Sequence, residues 1–179
     1  KNLITKVQTA TNRVGEIVPG GAGVQYRCLG WTGTDDVPAS GTGTSVVFTV
    51  TTNSTLTWLW VTEYYLDTGT GSHGSVDVGD GWRTNGASAT ITATADSGYR
   101  FSGWSGDVVS GVNPLALSMT QAVTVVANFA MNQFTITVSN SPAGTVTPSG
   151  IVNTVYGENR TITVQADPDA HIADIKVDG

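Results

Sequence analysis

Charge, lysine and cysteine are all scarce in this sequence, and each scarcity closes off a class of function. Only 12% of the 179 residues are charged, with 8 Lys or Arg against 14 Asp or Glu and a net charge of −6. A phosphate backbone is held by a basic stripe that releases counterions, and eight scattered cations make none, so nucleic acid is excluded as a partner. A single cysteine, Cys28, forbids an internal disulfide framework. No apolar run approaches the ~20 residues that a membrane helix needs, so no membrane span is expected in this segment. No signal peptide is visible.

What is present in quantity is Thr and Ser, 42 together, with 22 Gly, 23 Val and 14 aromatic residues. That many Val and aromatic side chains set the chain apart from disordered polypeptides.

The chain repeats itself. Tyr26-Arg27-Cys28-Leu29-Gly30-Trp31-Thr32-Gly33 returns 73 residues later as Tyr99-Arg100-Phe101-Ser102-Gly103-Trp104-Ser105-Gly106. Leu56-Thr57-Trp58-Leu59-Trp60 matches Val125-Val126-Ala127-Asn128-Phe129 at an offset of 69, and Tyr65 matches Phe134 at the same offset. Thr90-Ile91-Thr92-Ala93-Thr94-Ala95-Asp96 matches Thr161-Ile162-Thr163-Val164-Gln165-Ala166-Asp167 at 71. Three segments that keep one period predict tandem duplication, with units at 1–62, 63–131 and 132–179. The third breaks off in mid-pattern at Gly179, and the chain opens on Lys1, so a piece of a longer protein is expected. Lacking the last two strands of the pattern, residues 133–179 are expected to lean on another copy or chain, or to be more mobile than 64–130.

Each copy reads as strands. Apolar residues recur at every second position in Val46/Phe48/Val50, Ile91/Ala93/Ala95, Leu115/Leu117/Met119 and Phe134/Ile136/Val138, a period of two with one buried face and one wet one. Threonine suits the wet face because its branched Cβ favours extended backbone. Pro19-Gly20-Gly21, Gly69-Thr70-Gly71, Gly79-Asp80-Gly81, Asn140-Ser141-Pro142 and Pro148-Ser149-Gly150 read as turns. The fold class expected is all-β: tandem small modules of about 70 residues, short strands, little or no helix.

Gly98-Tyr99-Arg100-Phe101-Ser102-Gly103-Trp104-Ser105-Gly106, Asn113-Pro114-Leu115 and Val125-Val126-Ala127-Asn128-Phe129 together resemble the divergent internalin B-type repeat of large bacterial surface and secreted proteins. Ser141-Pro142-Ala143-Gly144-Thr145-Val146-Thr147-Pro148-Ser149-Gly150 resembles the opening of the same repeat. The resemblance implies a spacer or interaction module, built as a small β-grasp-like unit with little helix in its divergent form. It transfers no catalytic or ligand residues. With the Lys-poor, Thr-rich composition, it implies an extracellular or cell-surface location.

Interchange of large apolar types at equivalent positions marks a core, which tolerates changes of identity at roughly constant volume. Trp31, Trp104 and Ile175 share one such position, Cys28, Phe101 and Ile172 a second, Trp60 and Phe129 a third. These are the expected structural core. Trp58 stands where the next copy has Ala127, and with Tyr64 and Tyr65 it forms the candidate glycan-binding cluster. No catalytic site is read: Cys28 shares its copy with neither His73 nor His171, and no strained Gly-x-Ser-x-Gly turn, phosphate loop or paired metal-ligand His occurs. No cofactor and no metal are expected; Asp35-Asp36 and Asp77…Asp80 read as turn chemistry rather than calcium ligands. The expected function is a non-catalytic tandem-repeat segment, a stalk, fibre or adhesin spacer. Its partners would be adjacent repeats or neighbouring copies. The alternative is a carbohydrate-binding accessory module, centred on Trp58, Tyr64 and Tyr65 and attached to a secreted hydrolase.

Overall fold

The computed structural model describes residues 8–140 and 142–176. All regular elements among them are strands, and no helix occurs. They are β1 (Gln8–Arg13), β2 (Ile17–Gly21), β3 (Val24–Gly33), β4 (Ser40–Gly41), β5 (Ser45–Val50), β6 (Leu56–Thr70), β7 (Gly74–Val76), β8 (Gly81–Thr84) and β9 (Ser88–Ile91). There follow β10 (Ala93–Ala95), β11 (Tyr99–Gly106), β12 (Leu115–Ser118), β13 (Val123–Met131), β14 (Gln133–Val138), β15 (Gly144–Thr147), β16 (Gly150–Val155) and β17 (Thr163–Ala166).

The repeated octapeptide builds the same object twice. β3 pairs antiparallel with β6, and β11 with β13. In the first pair Cys28 faces Trp60, Gly30 faces Leu59 and Trp31 faces Trp58; in the second Phe101 faces Phe129, Gly103 faces Asn128 and Trp104 faces Ala127. Both pairs carry a bulge at the same place, with Leu29 or Ser102 as the extra residue. The glycine that follows has a positive φ, 124° at Gly30 and 144° at Gly103. Side chains are strained there, which is why the repeat keeps Gly after the bulged residue. β1–β5 in copy one answers to β9–β12 in copy two, with Val46 and Phe48 where copy two has Leu115 and Leu117.

The third copy repeats the other half of the pattern. β14 pairs β16 as β6 pairs β8, and β15 pairs β17 as β7 pairs β10; Gly144 faces Ala166 as Gly74 faces Ala95. The register sets Phe134 against Thr154 as Tyr64 stands against Arg83, so Phe134 answers to Tyr64 and not to Tyr65.

Copy two alone has both halves, and its core shows it. Leu66, Ile91, Trp104, Met119, Val125 and Ala127 are buried together, with Phe101 and Phe129 packed partly buried against them. A parallel pairing of β13 with β6, Val123 to Leu66 through Ala127 to Thr70, closes the unit. That pairing also explains why the expected turn at Gly69-Thr70-Gly71 is strand through Thr70: Gly69 lies opposite Val126, where a Cβ would come within 3.1 Å of its side chain. Pro19-Gly20-Gly21 likewise ends β2, with a register shift between Pro19 and Gly21, and the turn falls at Ala22-Gly23. Copy one has a smaller core of Trp31, Val37 and Val46, joined by Phe48, Leu56 and Trp58.

Three expected core residues are not buried. Trp60 is 37% exposed, Ile172 49% and Ile175 61%. Each stands at a position whose copy-two equivalent is covered by elements its own copy does not supply. Residues 170–176, the counterpart of β11, form no strand.

Candidate functional site

β6 is the 15-residue strand on which the candidate binding residues lie, about 50 Å long at ~3.3 Å per residue. It is the last strand of copy one and the first of copy two without a break. Glu63 and Tyr64 have β3 on one edge and β8 on the other, while Leu66 has β8 and β13, so β3 and β13 follow one another along the same edge.

Trp58, Tyr64 and Tyr65 do not share a surface. Trp58 is half-buried, edge-on to Trp31 at 5.6 Å, and its Nε1–H donates to Asn12 Oδ1 at 2.9 Å. Tyr64 lies six residues away, roughly 20 Å along the strand, and packs against the core of copy two. Tyr65 points to the opposite face, where its ring meets Trp82 edge-on at 5.2 Å. The rings that do lie open together are Trp60 and Tyr26, 40% exposed, which with Val18 line a shallow depression of about 300 Å³.

Sequence reasoning missed the joint between copies. Glu63 is buried on the outer face of β6, where Gln25 Nε2 and Arg27 Nε each donate to its carboxylate at 2.8 Å. Burial pushes its pKa up, but the bonds from Gln25 and Arg27 and the guanidinium charge outweigh that, and the net direction is down. The signal was a lone carboxylate in an apolar run opposite alternating polar residues of β3. The next joint, Asn132 between β13 and β14, is tied through the backbone: Asn132 N–H donates to Gly98 O at 2.8 Å, and Tyr156 N–H donates to Asn132 O at 3.0 Å. The first joint has the same clasp, Asn85 N–H to Thr62 O at 2.9 Å.

Three of the four acidic candidates are occupied by the fold, and Asp35 sits in a turn at a φ of 57°. Asp36 accepts from Thr51 and Thr52, Asp77 from the N–H of Thr92 at 2.6 Å, and Asp80 from the N–H of Thr68 at 2.7 Å. Those backbone donors hold all three carboxyls below the usual carboxylate range. Cys28 Sγ lies 3.6 Å from Gly43 O, and His73 is stacked on Tyr99 with ring centres 3.9 Å apart. No group of three or more His, Cys, Asp or Glu side chains is placed to share a metal ion among the described residues.

The closed copy is the one that carries the family signature. Residues 64–133 match the divergent InlB B-repeat domain. Those limits enclose the closed core of copy two, which begins at Tyr64 and ends at Phe129. The repeat family is associated with bacterial surface proteins and is typically non-catalytic. No curated protein and no solved structure matches the chain. No helix among the described residues is long and apolar enough to cross a membrane.

Proposed function

We propose that this chain is a non-catalytic spacer from a bacterial extracellular or cell-surface protein, in which tandem β modules set length and hold other parts apart. The observation that carries this reading is the joint: β6 leaves copy one and enters copy two as one strand, and β13 passes into β14 through Asn132 alone. Modules joined strand to strand have little freedom to fold back on one another. Their stabilities then add as unit and neighbour terms, so length can grow without new chemistry. The separation of Trp58, Tyr64 and Tyr65 favours this reading over a glycan-binding module, because the three rings offer a sugar no shared platform.

Small-angle scattering on chains carrying one or two extra copies of residues 63–131, inserted after residue 131, tests it. The maximum dimension should rise by an equal step with each insertion. A maximum dimension that grows only as the cube root of mass would mean the copies pack into one globule and would sink the spacer reading.

A further inference from the structure

Copy one and copy three are complementary halves. Copy one holds the pairs β1–β5 and β3–β6, the counterparts of β9–β12 and β11–β13. Copy three holds β14–β16 and β15–β17, the counterparts of β6–β8 and β7–β10. Only copy two contains all four, and it shows what each half is missing.

In copy two, Phe129 is covered by β7: a Cβ on Gly74 would overlap its ring. Trp60 takes the place of Phe129, and among the described residues no β7-like strand lies over it. The counterpart of Gly74 is Gly144, which again has no side chain to obstruct an indole. In copy two, β13 also lies parallel to the 66–70 stretch of β6. The counterpart of that stretch is 136–140, and the edge of β14 away from β16 carries no strand among the described residues. The counterpart of β13 is the first half of β6, whose edge away from β3 carries no strand over 56–61, up to the Asn85 clasp on Thr62. Each half also has a hollow where the other half's core would sit: about 300 Å³ beside Trp60 and Tyr26, and about 400 Å³ between β15, β17 and residues 170–176.

We propose that residues 133–166 of one molecule dock onto residues 8–62 of a second copy of this chain and complete a module with the architecture of copy two. β14 adds to the open edge of β6 in parallel, and β15 lies over Trp60. The acceptor's β3 supplies the strand that residues 170–176 do not form. Strand addition to an open edge gives affinity through the backbone and specificity through side-chain pockets. The intact copy two stands between the two halves of any one chain, so the contact runs head-to-tail from one molecule to the next. The inference rests on the repeat geometry alone and holds wherever the protein works.

The test is sedimentation of the full 179-residue chain from roughly 10 μM to roughly 1 mM, with two variants. Trp60→Glu blocks the acceptor, and Phe134→Glu, at a half-exposed position, blocks the donor. The parent chain should grow past the dimer as concentration rises. Each variant alone should stay monomeric, and an equimolar mixture should stop at the dimer, because one sound interface remains. If Trp60→Glu unfolds copy one, Tyr26→Glu replaces it in the same experiment. A parent chain that stays monomeric, one that stops at a symmetric dimer, or a mixture that forms no dimer would each overturn the proposal.

Discussion

Copies one and two share a bulged strand pair residue for residue, yet copy two packs Phe129 against its core while copy one leaves the equivalent Trp60 37% exposed. In copy two Trp104 is 2% exposed and its Nε1–H donates to Val112 O at 2.9 Å. In copy one the equivalent Trp31 is buried, but its Nε1 finds no partner among the described residues. Trp104 faces the small Ala127, while Trp31 faces Trp58, whose ring restores volume and whose own N–H is met by Asn12. The difference teaches that the octapeptide fixes the local pair, while burial of its rings depends on strands supplied from elsewhere in the module.

The sharpest way to break the comparison is truncation of the two tryptophans. Trp104→Ala should remove about 3–5 kcal/mol from copy two. Trp31→Ala should cost at least ~1 kcal/mol less, since it also removes an unsatisfied buried donor. Urea unfolding followed by near-UV circular dichroism measures both; equal losses would mean that the two cores are closed to the same degree.

The bulge glycines come next. Gly103→Ala places a Cβ 3.3 Å from Ser110 O at a strained φ, and about 1–3 kcal/mol is expected. Gly30→Ala adds an overlap with the Gly41 carbonyl oxygen and should cost more than Gly103→Ala. A reversed order in thermal melts would show that the loop holding Gly41 yields freely.

Glu63→Gln sharpens the comparison at the joint. One donor to the buried side chain then loses its acceptor, for about 1–3 kcal/mol. Because β6 serves both copies, hydrogen exchange should speed up in β3 and β8 together; a change confined to β3 would mean that the copies unfold independently.

The smallest effect is acid. The Asp77 and Asp80 carboxyls sit below their ordinary value of 3.8, held there by the backbone N–H groups of Thr92 and Thr68. Their contribution is whole above that value and is lost as pH falls through the lower folded one. Melts between pH 5 and roughly pH 3 should therefore show a modest loss that Asp77→Asn with Asp80→Asn reduces, the remainder coming from Asp36 and Glu63, which are also held low.

Much of this was legible in residues 26–33 and 99–106, where identity at fixed spacing announced a shared strand. The alternation in Val46/Phe48 and Leu115/Leu117 announced the facing pair. What the sequence hid was non-local. Gly69 and Thr70 look like a turn until β13 arrives alongside them, and Trp60 looks like core until the strand that would cover it is sought. The scatter of the candidate cluster was partly readable: Tyr64 and Tyr65 are adjacent in a strand, so they point to opposite faces. Glu63 was passed over because an isolated carboxylate reads as surface, and its partners lie 36 and 38 residues away.

The unbroken run of β6 bears on how such a chain would carry a load. Tension arriving from copy one travels down β6 into copy two along the strand's own axis, without crossing a loop. The hydrogen bonds to β3, β8 and β13 lie across that axis, so they are strained in parallel and must slip together. A hairpin peeled from its open end gives way one bond at a time and at far lower force. The joint between copies is thus the place where pulling meets the most bonds at once.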